Sequence, residues 1–491
     1  MEVVASNGVK VLLRTQLFIN NEWVDAVSGK KFEVVNPATE ETLAMVSEGD
    51  KEDIEVAVKA ARAAFNEKWG SDASPVTRAQ CMNKLADLLE QNLEEIATIE
   101  TMDNGKPYSE TSGADIPMVV KHLRYYAGWA DKITGQTFAD TDQFVYTRKE
   151  PVGVVGAVIP WNFPLLMAAW KLGPALAAGC CLVIKPAEQT PMSLLRLMDF
   201  VKEAGFPPGV VNVVPGFGPT AGGALAHHMD VDKIAFTGSV EVGKIILAAS
   251  AHSNLKKVTL ELGGKSPLVI FEDADLDEAV GISHMGIFFN QGEVCTAASR
   301  CFVHEDVYDS FLLKAKAKAE ERASNLGDPF AKKTVQGAQV SKDQFDTIMK
   351  YVDIGKAEGA RLVAGGARKG NKGYFVEPTI FADVTKGMKI HDEEIFGPVL
   401  SVIKFKSLED AIAKSNDSTY GLAAAVVTKD INKALKVAHG IKAGTVWVNT
   451  YHQYHDHVPF GGYKQSGIGR EKGYDAIENY LETKSVYINY K

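Results

Sequence analysis

Residues 152–164 decide the fold of this chain, and they read VGVVGAVIPWNFP. The uncharged segment that contains them, residues 151–170, is long enough to cross a bilayer as a single helix. Pro160 and Pro164 would break such a helix, because proline has no amide hydrogen and clashes with the preceding turn. The segment therefore predicts a buried strand over 152–159, a rigid loop and then a helix.

The alternation of strand and helix continues to residue 262. Short apolar runs predict five buried strands, at 152–159, 182–185, 210–214, 233–237 and 258–261. Helical patterns separate them, at about 165–179, 190–204, 219–228 and 240–251. Strands that alternate with helices in this way form a parallel sheet that is covered on both faces.

A second α/β unit is predicted after residue 265. Its expected helices lie at about 275–289, 305–324, 341–359, 407–416 and 430–440, and its expected strands at 300–304, 361–364, 400–405 and 445–449. Near the amino terminus, one helix should begin after Asp50 and another should run from Pro75 to near Gly105. The predicted fold class is therefore α/β.

The composition limits the classes of protein to which the chain can belong. It has 491 residues, 46% of them hydrophobic, which is enough for two to four globular domains. A net charge of −9 argues against binding to nucleic acid or to an anionic membrane, both of which need clustered basic surface.

The cysteines and the amino terminus bear on the compartment. Five cysteines without a CxxC motif indicate neither a disulfide framework nor a zinc site, which favours a reducing compartment. Residues 1–16 lack a long apolar signal core. We therefore expect the cytoplasm, or the mitochondrial matrix if a presequence has been removed.

Chemically useful residues stand at the carboxyl ends of all five strands predicted between residues 152 and 262. In open α/β sheets, ligands bind at this edge. We therefore expect one site there, to which five positions contribute: Asn162, Lys185, Gly216, Ser239 and Glu261.

A dinucleotide is one candidate ligand for this edge. Neither residues 238–243 nor residues 216–222 match the GxGxxG spacing. Lys185 could donate to a ribose hydroxyl, and Glu188 could accept from the adenosine 2′-hydroxyl while repelling a 2′-phosphate, which would favour NAD over NADP. An ordinary surface ion pair explains the same two residues equally well.

The segment FFNQGEVC at 288–295 puts a cysteine after a glycine turn. Residues 296–299 are small, which suits a thiol that another molecule must approach, and a thiolate adds readily to a carbonyl carbon. The alternative is a structural cysteine, since free cysteine is among the most buried residue types.

Two upstream residues favour a reactive Cys295. Glu261 follows an apolar strand, where desolvation would raise its pKa toward that of a general base. Asn162 offers a side-chain amide donor for an oxyanion, in a turn that two prolines hold rigid.

Two β-prone segments, residues 143–148 and 485–490, fit neither α/β unit. Strands without a sheet of their own often complete one in a partner subunit. We therefore expect both segments to take part in assembly.

Seven short motifs in a fixed order resemble one family. They are PWNFP at 160–164, KP at 185–186, FTGS at 236–239, ELGGK at 261–265, GEVC at 292–295, EIFGP at 394–398 and PFGG at 459–462. Over essentially its whole length, the chain resembles the NAD(P)-dependent aldehyde dehydrogenases, most of all the broad-specificity tetrameric class of the cytosol and mitochondria.

The resemblance implies a three-part architecture. A Rossmann-like parallel-sheet cofactor domain would take residues 1–130 and 152–263, and a second α/β catalytic domain residues 264–466. A small β oligomerisation arm would take residues 131–151 and 467–491. The assembly implied is a homotetramer, built as a dimer of dimers.

The resemblance also implies roles for the candidate residues. Cys295 would attack the aldehyde to give a thiohemiacetal, whose oxyanion would meet the Asn162 side chain and the Cys295 amide. Loss of hydride to NAD would leave a thioester, and Glu261 would activate the water that hydrolyses it. The matching cofactor-binding positions are Ile159, Trp161, Lys185, Glu188, Gly218, Gly222, Phe236, Ser239, Leu262, Glu394 and Phe396.

The matching substrate-tunnel positions are Phe163, Met167, Trp170, Phe289, Val294, Tyr454 and Phe460. These side chains are apolar or aromatic, and no cation is expected among them to meet a carboxylate. Uncharged aliphatic or aromatic aldehydes should therefore be preferred over succinic semialdehyde. The chain departs from many close relatives at Val294, where they carry a second cysteine.

The stretch YHQYHDH at 451–457 is unusually polar for the expected tunnel mouth, where it could bind a polar tail. Its three histidines lack further ligands, and such loop histidines are more often solvated than metal-bound, so no metal is predicted. A semialdehyde, betaine-aldehyde or retinal dehydrogenase is the alternative within the family. An inactive structural or binding homologue is the alternative from another class.

Overall fold

The computed structural model describes residues 1–70 and 72–490. Five parallel strands form the centre of its first large sheet, in the spatial order Lys257–Glu261, Lys233–Thr237, Val154–Val158, Cys181–Lys185 and Val211–Val213. Antiparallel strands extend its two edges, namely Gly467–Ile468 on one side and Leu17–Ile19 with Glu22–Val24 on the other. The five predicted strands are confirmed.

The strand order of this sheet reverses between Val154–Val158 and Lys233–Thr237. From the first of these strands the chain builds outward in one direction, and it then returns to build outward in the other. At such a switch point the loops diverge and leave a crevice at the carboxyl ends of the strands. Asn162 and Ser239 follow the two strands, so both are carried to this crevice.

Helices cover the first sheet, at Pro164–Ala178, Met192–Glu203, Gly223–His227 and Val240–Ala251. The helix expected over 219–228 is shorter, because a wider helical turn at Gly218–Gly222 precedes it. Further helices of the amino-terminal part lie at Lys51–Ala64, Pro75–Gln91, Leu93–Asn104 and Ile116–Ala127. Asp50 caps the first of these, as predicted.

The single helix predicted from Pro75 to near Gly105 is wrong in one respect, because it is two helices that meet at Asn92. The Asn92 backbone leaves the helical region, and its side-chain amide donates to the Leu88 carbonyl over 2.8 Å. Asparagine competes in this way with backbone hydrogen bonds. The apolar stripe continues across the break, which is why the sequence reads as one helix.

The second large sheet has seven strands, parallel except for the first, in the order Arg361–Ala364, Thr379–Ala382, Val399–Phe405, Arg300–His304, Pro267–Ile270, Ala423–Val427 and Thr445–Val448. Its larger helices lie at Leu276–Phe288, Tyr308–Ser324, Lys342–Ala357, Leu408–Asn416 and Ile431–Gly440, as predicted to within a few residues.

Three strands of this sheet were not predicted, namely Pro267–Ile270, Thr379–Ala382 and Ala423–Val427. Each has four or five residues and is buried throughout. The run AAAVV has little intrinsic preference for a strand. Burial between two parallel neighbours decides its conformation, and a short local window does not contain that information.

A third sheet contains both β-prone segments that fit neither unit. Its strands are Thr137–Phe138, Gln143–Pro151 and Leu481–Asn489, and the two long strands pair antiparallel along their whole length. These segments therefore form a sheet with each other, outside both α/β units. The use of this arm in assembly and the three-part domain division remain predictions. None of the described helices combines the length and apolar character needed to span a bilayer.

Candidate active site

A cavity of about 540 Å³ opens beside the carboxyl ends of the first sheet. The three predicted catalytic residues reach it from separate parts of the chain. Asn162 comes from the loop after Val154–Val158, Glu261 from the end of Lys257–Glu261, and Cys295 from the turn after Leu276–Phe288. All seven predicted tunnel residues line the same cavity.

Cys295 is partly exposed, whereas the other four cysteines are buried. Asn290, Gln291 and Gly292 all have positive φ, which turns the chain sharply after the helix. A Cβ on Gly292 would lie 2.3 Å from the Gly397 backbone, so only glycine fits there. This turn carries the thiol to the cavity wall. Its exposure argues against the structural alternative for this cysteine.

The surroundings of Cys295 favour its protonated thiol at neutral pH. Burial raises its pKa to about 12, and the charges of Glu261 and Glu394 contribute in the same direction. The nucleophile must therefore lose its proton as it reacts, because a thiol is a far weaker nucleophile than a thiolate.

Glu261 is 5% exposed, and neither of its carboxylate oxygens has a hydrogen-bond partner among the described residues. Burial raises its pKa well above the usual range, and the charge of Glu471 adds to the effect, while Lys171 and Arg470 oppose it. The predicted direction of the shift is confirmed. A carboxyl group without fixed partners is free to exchange a proton with a molecule in the cavity.

Asn162 lies buried beside the loop that carries Cys295. Its side-chain amide donates to the Glu293 carbonyl over 3.0 Å, which uses one of its two N–H groups. The other N–H group remains for the cavity that this residue lines. The backbone carbonyl of Asn162 accepts from Lys106 Nζ over 2.8 Å and from the side-chain amide of Asn290 over 3.0 Å.

Sequence reasoning missed the groups that hold these residues in place. Lys106, 56 residues before Asn162, also donates to Asp115 over 2.6 Å. Lys171 pairs with the buried Glu471. No local pattern joins such partners. The only available signal was Lys171, a lysine within an apolar run.

The predicted cofactor residues fall into two groups. Five of them line the cavity, namely Trp161, Ser239, Leu262, Glu394 and Phe396. The other six lie outside its wall, around the end of the strand Cys181–Lys185 and its neighbours, namely Ile159, Lys185, Glu188, Gly218, Gly222 and Phe236.

Lys185 is already bonded within the chain. Its Nζ donates to the carbonyls of Pro186 and Gly216, each over 2.8 Å, and lies 3.3 Å from the Glu188 carboxylate. Burial lowers its pKa, and Glu188 opposes that effect. The Glu188 side chain is 32% exposed, so its carboxylate can still accept from a ligand.

The groups in the wall suit a dinucleotide. Ser239 caps the helix Val240–Ala251, whose first amides offer donors to a pyrophosphate. Glu394 accepts from the Gly264 amide over 2.9 Å, and burial raises its pKa to about 7. A Cβ added to Gly218 would meet open space, so a ligand can approach the backbone there.

The tunnel wall is mostly aromatic. The rings of Phe163 and Phe289 stack with centroids 6.1 Å apart, and Phe460 meets Trp170 edge-on at 5.2 Å and Tyr454 at 5.8 Å. Such a wall favours an apolar chain.

One expectation about the tunnel is wrong, because a cation does line it. Lys472 Nζ lies 5.2 Å from the Trp170 ring centroid and 3.4 Å from Asp456, which also lines the cavity. Lys472 was missed because it lies outside the seven motifs, and only the fold brings it to the cavity wall.

The polar stretch at 451–457 divides between cavity and surface. His452 is half-buried, with Nδ1 3.3 Å from the Tyr454 hydroxyl, and desolvation lowers its pKa to about 4. His455 and His457 are exposed and stack at 5.5 Å. Within residues 1–70 and 72–490, no group of three or more His, Cys, Asp or Glu residues is placed to hold a metal ion.

Known proteins are similar to this chain in sequence and in fold. The sequence profile of the aldehyde dehydrogenase family matches residues 23–486. The human mitochondrial aldehyde dehydrogenase is 55% identical over 490 residues, which cover 99% of this chain and 94% of the human protein. An aldehyde dehydrogenase from Davidiella tassiana is 57% identical over 475 residues, 96% of this chain and 95% of the relative.

A solved structure, the NAD⁺ complex of an aldehyde dehydrogenase from Bacillus cereus, matches with a TM-score of 0.95 and 52% identity over 97% of each chain. The family resemblance of the seven motifs is thus confirmed. Because a profile and full-length relatives match nearly the whole chain, this protein belongs to the aldehyde dehydrogenase family.

Proposed function

We propose that this protein oxidises aldehydes to carboxylic acids with NAD, through a covalent intermediate on Cys295. Family membership makes the protein an oxidoreductase that acts on aldehydes. The observation that carries the mechanism is the meeting of a thiol, an unpartnered carboxyl group and an amide donor in one apolar cavity. These are the nucleophile, the base and the oxyanion donor that acyl chemistry requires.

The residues that would hold NAD lie along the carboxyl edge of the first sheet. Lys185 and Glu188 would bind the adenine ribose, Ser239 the pyrophosphate and Glu394 the nicotinamide ribose. The Glu188 carboxylate would repel a 2′-phosphate, which supports NAD over NADP. When bound, NAD supplies the hydride acceptor for the oxidation.

Cys295 would act first, when its sulfur bonds to the aldehyde carbon, the C=O π electrons move to the oxygen and the thiol proton passes to solvent water. Negative charge then develops on the aldehyde oxygen. The Asn162 side-chain N–H and the Cys295 amide would donate to that oxygen. Two hydrogen bonds support this role, one from the Asn162 side chain to the Glu293 carbonyl and one from Lys106 to the Asn162 backbone carbonyl. They fix the donor before the substrate arrives.

Glu261 would act in the release of the acid from its thioester with Cys295. Its carboxylate would take a proton from a water molecule as the water oxygen bonds to the acyl carbon. The carbon–sulfur bond then breaks, and the sulfur leaves and regains a proton as a thiol. The absence of fixed hydrogen bonds to Glu261 among the described residues supports this role.

The substitution Cys295→Ser tests the nucleophile. We expect steady-state turnover to fall by about a thousandfold or more, because a hydroxyl is a much poorer nucleophile than a thiol at neutral pH. NAD binding, measured by calorimetry, should persist. Cys301→Ser, in the buried strand Arg300–His304, is the matched control and should retain turnover. Near-normal turnover in Cys295→Ser would refute the proposal.

The substrates we propose are uncharged aliphatic or aromatic aldehydes. The aromatic tunnel wall supports this class, since each buried methylene contributes about 0.8 kcal/mol. Lys472 does not reverse this preference, because Asp456 already balances its charge.

The assembly we propose is a homotetramer, a dimer of dimers, that uses the sheet with strands Gln143–Pro151 and Leu481–Asn489. Large apolar and aromatic side chains stay exposed on it, among them Phe138, Tyr487 and Ile488. Deleting residues 485–491 should lower the mass measured by light scattering, and an unchanged mass would contradict this role. A reducing compartment, the cytoplasm or the mitochondrial matrix, fits five free cysteines.

A further inference from the structure

One part of the tunnel wall carries two opposite charges that the proposed mechanism does not use. Lys472 and Asp456 both line the cavity, with Nζ and Oδ1 3.4 Å apart. The Lys472 side chain is 6% exposed and that of Asp456 24%. Among the described residues that line the cavity, Lys472 is the only lysine or arginine.

The chain fixes Asp456 from behind. The Gly473 amide donates to the Asp456 carbonyl over 2.8 Å, which joins the loop of Asp456 to that of Lys472. His122, fully buried on the helix Ile116–Ala127, lies with Nδ1 3.0 Å from Asp456 Oδ1. Burial lowers the pKa of His122, so it is neutral and donates through Nδ1–H. His122 is therefore a positioning residue.

Two aromatic faces hold the ammonium group. Lys472 Nζ lies 5.2 Å from the ring centroid of Trp170 and 5.8 Å from that of Tyr454. Aromatic faces beside a carboxylate would otherwise suit a cationic substrate tail. Lys472 occupies that position and would repel such a tail.

A carboxylate tail fits no better. It could approach Lys472, but it would also meet Asp456, only 3.4 Å from the ammonium. A neutral hydroxyl differs from both, because it donates one hydrogen bond and accepts others. It can therefore donate to Asp456 and accept from Lys472 without leaving an unbalanced charge. The hydrogen bond from His122 and the ion pair with Lys472 both use Oδ1, and the second carboxylate oxygen of Asp456 can accept from the tail.

We propose that Lys472 and Asp456 form a specificity site for the tail hydroxyl of hydroxylated aldehydes. This inference rests on the proposed aldehyde oxidation and names a substrate class for the same cavity. A tail that lacks the hydroxyl would desolvate the pair without replacing its hydrogen bonds. The site therefore distinguishes a hydroxyl from a methyl group at the far end of the substrate.

The test compares ω-hydroxyalkanals with alkanals that have the same number of non-hydrogen atoms, over a series of chain lengths. We expect the ratio of kcat/KM, hydroxyl over methyl, to peak at the length that reaches the pair. In the double variant Lys472→Met/Asp456→Leu, the peak ratio should fall about tenfold. Equal ratios in the double variant and the wild type would overturn the proposal.

The two single variants give a second test, because they should favour substrate tails of opposite charge. Asp456→Asn leaves the lysine unbalanced and should raise kcat/KM for ω-carboxyalkanals relative to hexanal. Lys472→Met should do the same for ω-aminoalkanals. If the pair were merely structural, each single variant would lower kcat/KM for all substrates by one common factor, and this result would also overturn the proposal. Oxidation of hexanal by the wild type tests the proposed function separately, since its absence would refute that function and not only the tail site.

Discussion

The two ends of the cavity hold their buried polar groups in different ways. At one end, Glu261 has no hydrogen bond to its carboxylate from the described residues, and its charge contributes to the raised pKa of Cys295. At the other end, Asp456 is held by His122 and paired with Lys472. Partners lower the pKa of Asp456, although its own burial opposes them, whereas burial raises that of Glu261.

This difference indicates different tasks. An unpartnered buried carboxylate is costly, and a fold keeps one where a proton must move. A paired carboxylate stays ionised and rigid, which suits recognition of a substrate tail. The following predictions test whether the two ends differ in this way.

Among the changes that compare the two ends of the cavity, the largest effect is expected for Glu261→Gln. The amide keeps the shape of the side chain but cannot take a proton from water, so steady turnover should fall by about a hundredfold or more. Formation of the covalent intermediate should survive as one rapid burst of NADH in stopped-flow measurements. The matched control is Glu471→Gln, whose charge contributes to the raised pKa of Glu261, and its steady rate should stay above that of Glu261→Gln. If Glu261→Gln turned over normally, the base would lie elsewhere.

The pH dependence of turnover should reflect the raised pKa of Glu261. The base works only without its proton, so kcat should rise with pH through that raised pKa and then level off. The slope should approach about tenfold per pH unit on the acid side. In Glu261→Gln this limb should disappear. A limb of the same midpoint in the variant would assign the titration to another group.

A smaller effect is expected when the substrate carries a charge. The wild type should prefer hexanal to succinic semialdehyde by roughly five- to tenfold in kcat/KM, since burying a carboxylate beside Asp456 is unfavourable. Comparison at equal pH and ionic strength measures this directly. A clear preference for the charged substrate would mean that the charge of Lys472 dominates this end of the cavity and that Asp456 does not balance it.

The two large sheets were predictable to different degrees. The five central strands of the first sheet are apolar runs that end in polar or glycine residues, so both the strands and their functional edge could be predicted. In the second sheet, Pro267–Ile270, Thr379–Ala382 and Ala423–Val427 were missed. Their conformation comes from neighbours on both sides, which a local window cannot include.

Sequence alone determined the α/β class, the strand-end positions of Asn162 and Glu261, and Cys295 as the candidate nucleophile. The first two depend on local pattern, because an apolar run and the residue that ends it are adjacent in the chain, and Cys295 was favoured by the ordered motifs around it. Only the tertiary structure decided that the arm strands pair with each other and that Lys472 and Asp456 meet in the tunnel. Contacts between distant segments depend on how the sheets pack, and no local sequence pattern records that packing.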